Sequence, residues 1–243
     1  MPGPHTKASM FRDDMAWTWS QLQAEVPDLA DHEVRRLLLS AAGREATWLI
    51  GDPEVPLDVI TRFRDAVQLH IDERALIPRP ETERLWELLS GGLVGAPQVI
   101  VDLCTGSGNL ALALKHRFSD AKVFGVDISP AAIALARENA EATGLVVEFL
   151  EGDLFEALPG SIQGRVDLLV SNPPYVATAE MDLLPAEIRE HEPVGALDAG
   201  STGLESLEQI ARGARRWLRP GGTIACEIGE SQGEACLRAF SGY

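Results

Sequence analysis

Apolar runs alternate with helical patterns from residue 99 onward, and this alternation limits the possible folds more than any other feature of the chain. Five runs are typical of buried strands: Val99–Leu103, Lys122–Val126, Val146–Leu150, Val166–Val170 and Thr223–Ile228. Helical patterns lie between them, at Asn109–Phe118, Pro130–Thr143 and Glu205–Leu218. The alternation predicts a doubly wound, Rossmann-like α/β sheet of parallel strands joined by right-handed crossovers. Ligands of such sheets bind at the carboxyl ends of the strands.

The chain of 243 residues has room for smaller units before this sheet. We predict a small helical bundle over residues 1–55, because apolar residues recur there at helical spacing. Residues 56–80 are predicted to form a linker and a β-hairpin, in which Val67–Ile71 pairs with Ala75–Ile77 across a turn at Asp72–Arg74. The α/β domain would then occupy residues 81–243.

The fifth predicted strand, Thr223–Ile228, lies near the end of the chain. Two further strands are usual in this class of sheet. The residues that follow suffice for only one helix, so we expect both strands to be missing. The fifth strand would then form an edge of the sheet. Because long apolar edges promote aggregation, we expect the last helix, or a second subunit in a homodimer, to cover it.

Composition narrows the classes of partner. Asp and Glu total 37 against 21 Lys and Arg, which gives a net charge of −16 and disfavours a nucleic-acid partner because its phosphates would be repelled. No apolar run reaches membrane-spanning length, and the N-terminus lacks a signal-peptide pattern. The three cysteines and five histidines show neither a C-x-x-C motif nor metal-ligand spacing. We therefore expect a cytoplasmic protein with reduced thiols, no membrane partner and no metal.

A glycine-containing turn follows the first strand of the predicted sheet and reads Asp102-Leu103-Cys104-Thr105-Gly106-Ser107-Gly108-Asn109. Gly106 and Gly108 would allow a tight turn and the close approach of a ligand to the backbone. Asp127 closes the second strand, 19 residues after Gly108, where an acid can bind both hydroxyls of a ribose. Asp153 follows the third strand and can reach an adenine edge. The turn is therefore predicted to bind a nucleoside.

The residues favour a cationic nucleoside over a dinucleotide. A dinucleotide-binding turn places a pyrophosphate at a helix N-terminus, and Asp102 immediately before the turn would repel that phosphate. The same carboxylate suits the ammonium and sulfonium groups of S-adenosylmethionine. We therefore expect a class I S-adenosylmethionine-dependent methyltransferase. Its predicted cofactor contacts are Asp102, Cys104, Thr105, Gly106, Gly108, Asn109, Asp127, Ile128, Asp153, Leu154 and Asn172.

A second motif, Ser171-Asn172-Pro173-Pro174-Tyr175, follows the fourth predicted strand. Its prolines end the strand and hold the preceding residue near extended geometry. The Asn172 amide oxygen and the Pro173 carbonyl can accept the two protons of a planar –NH₂ group, and Tyr175 can stack on its plane. The alternative is a strand-ending turn without chemistry. With a nucleoside site upstream, we favour methyl transfer to a planar nitrogen, with Asn172, Pro173 and Tyr175 as the catalytic residues.

Together these motifs resemble the release-factor glutamine methyltransferases, the HemK/PrmC family. Asn-Pro-Pro-Tyr is shared with DNA adenine methyltransferases, so other segments narrow the resemblance. They are Leu76–Glu83, Glu192-Pro193-x-x-Ala196-Leu197 with Gly203-Leu204, and Glu227-Ile228-Gly229-x-x-Gln232. These segments match the family in order and spacing, and the resemblance extends over about residues 66–236. One departure lies upstream, where the family's Pro-Leu-Gln-Tyr-Ile segment reads Pro56-Leu57-Asp58-Val59-Ile60.

The resemblance implies N5-methylation of the glutamine in the Gly-Gly-Gln tip of a peptide-chain release factor. It also implies that Asn172 and the Pro173 carbonyl hold the glutamine amide. The implied substrate residues are Pro78, Arg79, Pro80, Glu81, Asn172, Pro173, Pro174, Tyr175 and Glu192. Other functions stay open: methylation of a small amine, amide or guanidine metabolite, methylation of adenine in nucleic acid, and cofactor binding without catalysis. The net charge opposes the nucleic-acid substrate.

Overall fold

The computed structural model describes residues 58–241, apart from residues 64–65 and residue 94. The helical bundle predicted for residues 1–55 lies outside the described residues and stays a prediction. The described strands are β1 Asp58–Phe63, β2 Val67–Asp72, β3 Val99–Leu103, β4 Lys122–Asp127, β5 Glu148–Glu151, β6 Val166–Ser171 and β7 Leu218–Cys226. The described α-helices are α1 Pro80–Leu88, α2 Asn109–Arg117, α3 Pro130–Thr143, α4 Ala186–His191, α5 Glu205–Trp217 and α6 Gly233–Ala239.

Five parallel strands form the main sheet, in the order β5-β4-β3-β6-β7, which confirms the predicted doubly wound fold. The chain moves outward from β3 to β4 and β5, then returns to β6 on the other side of β3. This reversal opens a crevice at the carboxyl ends of β3 and β6, where such sheets bind ligands. The hydroxyl of Ser171, at the end of β6, donates to the Leu103 carbonyl at 2.8 Å and joins the two strand ends.

Buried apolar side chains cover both faces of the sheet. Leu112 and Ile133, from α2 and α3, pack on one face. Ile210 and Trp217 of α5 pack on the other, and the Trp217 ring stacks on Phe155 with 6.2 Å between centroids. Strands that are covered on both faces need apolar residues at every position. This is why the sequence shows continuous apolar runs there rather than alternation.

The edge strand β7 begins earlier than predicted, at Leu218, and ends at Cys226. Its pairing with β6 shifts register between Val166 and Leu168, because the Arg219–Gly222 segment bulges out of the ladder. Within the described residues no other strand pairs with β7. The last helix, α6, packs against α5, and the side chains of Thr223–Cys226 stay half-buried. Coverage of this edge by a second subunit stays a prediction.

The hairpin has a different partner strand from the one predicted. β2 pairs with β1, whereas Ala75–Ile77 forms no strand. The Asp72 carboxylate accepts hydrogen bonds from the backbone N–H and the guanidinium of Arg74. Arg74 also pairs with Glu138 on α3, with 2.6 Å between Nη2 and Oε2. These bonds turn the chain toward α3 after β2, so it cannot return along the strand.

The ring of Phe149 on β5 packs tightly between two glycines. Gly125 is its cross-strand neighbour on β4, and a Cβ there would lie 2.5 Å from Phe149 Cε1. A Cβ at Gly108 would lie 2.8 Å from Phe149 Cζ. Both distances are far shorter than a van der Waals contact. The ring therefore supports the glycine turn from below only because both neighbours lack a side chain.

Candidate active site

A cavity of about 390 Å³ occupies the crevice at the carboxyl ends of the strands. Ten of the predicted cofactor residues line it: Asp102, Cys104, Thr105, Gly106, Asn109, Asp127, Ile128, Asp153, Leu154 and Asn172. Gly108 does not line it, because it lies beneath the turn against Phe149. A larger groove of about 690 Å³ between α5 and α6 contains none of the predicted site residues. We therefore take the crevice as the candidate site.

Asp102, near the end of β3, is 1% exposed. Its Oδ2 accepts hydrogen bonds from the Thr105 hydroxyl at 2.6 Å and from the Ala111 N–H at 3.1 Å. Its Oδ1 is buried and has no hydrogen-bond partner among the described residues. Burial raises the pKa of Asp102 to about 7 against the effect of these two hydrogen bonds, and the charge of Asp127 adds to the rise. One oxygen thus shapes the turn, and the other is left for a ligand.

Asp127, at the end of β4, holds the glycine turn by accepting a hydrogen bond from a backbone N–H of the turn. Its Oδ2 accepts from the Gly106 N–H at 2.8 Å, and its Oδ1 accepts from the Ser129 N–H at 3.0 Å. Burial raises the pKa of Asp127, and these hydrogen bonds lower it. Gly106 has a φ of 54°, and a Cβ there would meet only the Ala75 side chain, at 3.8 Å. The turn therefore presents bare backbone to the cavity, and each Asp127 oxygen keeps a lone pair for a ligand hydroxyl.

The Asn172 side chain lies in a chain of hydrogen bonds that the sequence analysis did not predict. Its Nδ2 donates to Thr82 Oγ1 at 3.1 Å. The Thr82 hydroxyl in turn donates to Glu227 Oε2 at 2.7 Å. Burial raises the pKa of Glu227, and the Thr82 hydrogen bond lowers it. Thr82 and Glu227 fall within segments that the family resemblance singled out, but neither was assigned a role.

Asn139 on α3 is another residue that the sequence analysis missed, and it holds the glycine turn in place. It is fully buried. Its Nδ2 donates to the carbonyls of His70 and Ser107, and its Oδ1 accepts from the His70 N–H at 2.7 Å. The residue therefore ties β2 to the glycine turn. A signal was present, because Asn139 follows Ile133 and Ala136 at three-residue intervals on the apolar face of the helix.

The predicted substrate residues divide into two groups. Pro78, Asn172 and Pro174 line the cavity. The side chains of Arg79 and Glu192 instead form a partly buried ion pair, with 2.7 Å between Nη2 and Oε1. Glu192 also accepts a hydrogen bond from the Ile77 N–H at 3.1 Å. This arrangement favours a role in which Glu192 anchors the loop that carries Pro78. Arg79, Glu81, Pro173, Tyr175 and Glu192 do not line the cavity.

Gln232 fixes the backbone that leaves the Asn-Pro-Pro-Tyr motif. Its Nε2 donates to the carbonyls of Tyr175 and Gly203, each at 2.9 Å. Its Oε1 accepts from the Gly229 N–H at 2.9 Å. A Cβ at Gly203 would lie 2.9 Å from the Tyr175 carbonyl oxygen, so the two segments approach as closely as glycine allows. The direction of the chain after the motif is therefore set by the segment that follows β7.

Neither a metal-binding cluster nor a membrane-spanning helix occurs among the described residues. No group of His, Cys, Asp and Glu side chains in this part of the chain is arranged to hold a metal ion. None of the described helices combines the length and the apolar character needed to cross a bilayer.

Known proteins were compared with the chain. A family model for a methyltransferase domain matches residues 100–191. The release factor glutamine methyltransferase of Moorella thermoacetica is 42% identical over 228 residues, which cover 89% of this chain and 78% of that protein. The corresponding protein of Cereibacter sphaeroides is 37% identical, and the match covers 88% of this chain and 86% of that protein. That of Geobacter sulfurreducens is 45% identical over 68% of this chain, but the match spans only 57% of its own length.

Solved structures show the same fold at low identity. The hMettl16 catalytic domain, solved with the MAT2A 3′UTR hairpin 6, has a TM-score of 0.57 and 17% identity over 95% of this chain and 85% of its own. The Thermus thermophilus 16S rRNA N2 G1207 methyltransferase, solved with AdoMet and guanosine, has a TM-score of 0.55 and 23% identity over 77% of this chain and 46% of its own. These likenesses support the methyltransferase fold alone.

The family is established by the sequence relatives. Two of them, at 42% and 37% identity, match this chain over 78% and 86% of their own lengths. Matches over 89% and 88% of this chain necessarily include residues 99–172, and so Asp102, Asp127 and Asn172. The chain therefore belongs to the family of release factor glutamine methyltransferases.

Proposed function

We propose that the chain transfers a methyl group from S-adenosylmethionine to N5 of the glutamine in the Gly-Gly-Gln tip of a peptide-chain release factor. The observation that carries this proposal is that Asn172 lines the same cavity as Asp102 and Asp127. Asn172, which can accept a hydrogen bond from a planar amide, thus lies in the same cavity as two carboxylates that suit a cationic nucleoside. The names of the sequence relatives favour release-factor glutamine over the small-metabolite alternative.

The residues of the cavity fit S-adenosylmethionine. The unpartnered Oδ1 of Asp102 would face its positive charge, and Asp127 would accept hydrogen bonds from the ribose hydroxyls. Asp153 would bind the adenine edge, and the bare backbone at Gly106 would allow close approach. When bound, the cofactor supplies an electrophilic methyl group.

Asn172 and Pro173 prepare the acceptor nitrogen. An amide nitrogen is a poor nucleophile because its lone pair is delocalised into the carbonyl. The Asn172 Oδ1 and the Pro173 carbonyl would accept hydrogen bonds from its two N–H groups, which raises electron density on nitrogen and stabilises the positive charge that develops there. As the N–C bond formed and the S–C bond broke, the nitrogen would release one of these protons to solvent. Tyr175 would pack on the amide plane and fix its orientation. Positioning of this kind can supply a large part of the rate of an in-line displacement.

The test incubates the protein with labelled S-adenosylmethionine and a release factor whose Gly-Gly-Gln tip is unmodified. We expect label on that glutamine, and no label on a release factor in which it is replaced. Asn172→Ala should abolish turnover and leave the affinity for S-adenosylhomocysteine nearly unchanged, because Asn172 faces the acceptor. Transfer to free amino acids or amines, with none to the release factor, would contradict the proposal.

A further inference from the structure

We infer that Thr82 and Glu227 form a hydrogen-bond relay that selects one of the two orientations of the Asn172 amide, and that both are positioning residues for methyl transfer. The inference rests on the proposed function, since it concerns the group that would receive the acceptor amide. Three separate segments contribute to this relay: the first turn of α1, the residue after β6 and the residue after β7.

The direction of the relay follows from the number of protons available. A threonine hydroxyl has one proton, and an ionised carboxylate can only accept hydrogen bonds. When Glu227 is ionised, the Thr82 proton is therefore committed to Glu227, at 2.7 Å. Thr82 can offer only a lone pair to Asn172, so the –NH₂ side of the amide must face Thr82, at 3.1 Å. The Oδ1 of Asn172 then points to the opposite side, where it can accept a substrate proton.

The surroundings of Thr82 keep water from replacing the relay. Thr82 is 1% exposed and does not line the cavity, whereas Asn172 does. The Glu227 N–H donates to the Ser171 carbonyl at 2.9 Å, which fixes Glu227 beside the residue that precedes Asn172. A buried donor or acceptor that loses its partner is destabilised. The observed orientation of the Asn172 amide is therefore the one in which all three side chains are satisfied.

The opposite orientation would not support the reaction. It would place the two Asn172 amide protons against the protons of the substrate amide, so the acceptor nitrogen would lose one of its two acceptors. Removing one preorganised hydrogen-bond partner of a transition state lowers kcat about 100-fold to 1000-fold. A variant that leaves the two orientations equally populated should lose about twofold in kcat, and one that holds the wrong orientation about nine-tenths of the time should lose about tenfold.

The variants that test the relay are Thr82→Val, Thr82→Ser and Glu227→Leu. Valine keeps the shape of threonine without its hydroxyl, and serine restores the hydroxyl. Glu227→Leu leaves the Thr82 proton without its acceptor, so that proton can turn to Asn172 Oδ1. Thr143→Val is the matched control, because it too removes a hydroxyl that donates a hydrogen bond, here to the Asn139 backbone carbonyl at 2.8 Å, and Thr143 makes no bond to Asn172.

The first measurement is nuclear magnetic resonance of the Asn172 side-chain amide in the ¹⁵N-labelled protein, assigned by its loss in Asn172→Ala. We expect one of its two protons to exchange slowly with water in the wild type, in Thr82→Ser and in Thr143→Val. In Thr82→Val both should exchange rapidly. This measurement needs no substrate. If the wild type shows the slow proton but does not label a release factor, the proposed function fails and the relay stands.

The second measurement is kcat with the release factor, together with calorimetry of S-adenosylhomocysteine binding. Glu227→Leu, which reverses the preference, should lower kcat at least about tenfold, and Thr82→Val, which only removes the preference, should lower it at least about twofold. Both should change the cofactor dissociation constant by less than about twofold. Thr82→Ser should restore most of kcat. The relay is overturned if the Asn172 amide protons exchange equally in the wild type and Thr82→Val, or if Thr82→Val keeps the wild-type kcat.

Discussion

Asp102 should make the affinity for S-adenosylhomocysteine fall as the pH is lowered through about 7, the value to which burial raises its pKa. The ligand retains the ammonium group that we place at the unpartnered Asp102 Oδ1. That group favours the ionised carboxylate, so the ligand binds the deprotonated protein more tightly. Below a pH of about 7 the free protein carries the proton on Asp102. Binding must then release this proton, which weakens the observed affinity.

The magnitude follows from the fraction of Asp102 that is ionised. With a pKa of about 7, roughly nine-tenths of the free protein is ionised at pH 8 and roughly one-tenth at pH 6. The dissociation constant should therefore rise about tenfold from pH 8 to pH 6, equivalent to about 1.4 kcal/mol. Calorimetry in two buffers of different ionisation enthalpy should also show the release of nearly one proton per site at pH 6 and almost none at pH 8.

The control is Asp102→Asn, which cannot titrate and should bind the ligand with little dependence on pH in this range. Any slope that remains in this variant belongs to other groups, chiefly Asp127, whose pKa is also raised by burial. Equal slopes in the wild type and in Asp102→Asn would refute the reasoning. So would a dissociation constant that is the same at pH 6 and pH 8.

Two further substitutions test a residue that lines the cavity and a residue that holds the glycine turn. Asp127→Ala should weaken S-adenosylhomocysteine binding by about 1–3 kcal/mol in calorimetry, because charge-assisted hydrogen bonds to the ribose are lost; unchanged affinity would mean that the ribose is held elsewhere. Asn139→Ala should lower the free energy of unfolding by roughly 3 kcal/mol in denaturant titration, because the His70 N–H and the carbonyls of His70 and Ser107 lose buried partners. A loss below about 1 kcal/mol would show that water replaces the Asn139 amide.

The sheet and its ligand residues could be predicted from the sequence because their signals are local. Strands covered on both faces appear as continuous apolar runs. Asp102, Asp127 and Asn172 each stand at or near the end of such a run, so the fold alone brings them to one crevice. The predicted bounds of two strands were wrong: Val146–Leu150 is observed as Glu148–Glu151, and Thr223–Ile228 as Leu218–Cys226, because the few apolar residues there fit either a strand or a loop.

The contacts that hold the site could not be predicted in the same way, because they join residues far apart in the chain. Asn139 binds His70 across 69 positions, Asn172 binds Thr82 across 90, and Thr82 binds Glu227 across 145. A local pattern does not specify which polar side chain will meet which. The hairpin was wrong for a related reason: the bonds of Arg74 to Asp72 and Glu138 turn the chain away from the strand that Ala75–Ile77 would have formed.

The packing of Phe149 restricts the order in which this protein could change during evolution. Alanine at Gly125 would collide with the ring, so selection should remove that substitution while Phe149 is present. A smaller residue at position 149 would remove only this clash, because a Cβ at Gly125 would also lie 2.9 Å from Thr105 Oγ1, whose proton is donated to Asp102. Gly108 is restricted for a separate reason, because its φ of 81° disfavours any side chain. Lineages with a smaller residue at position 149 should therefore keep glycine at position 108, and can vary at position 125 only where position 105 has changed as well.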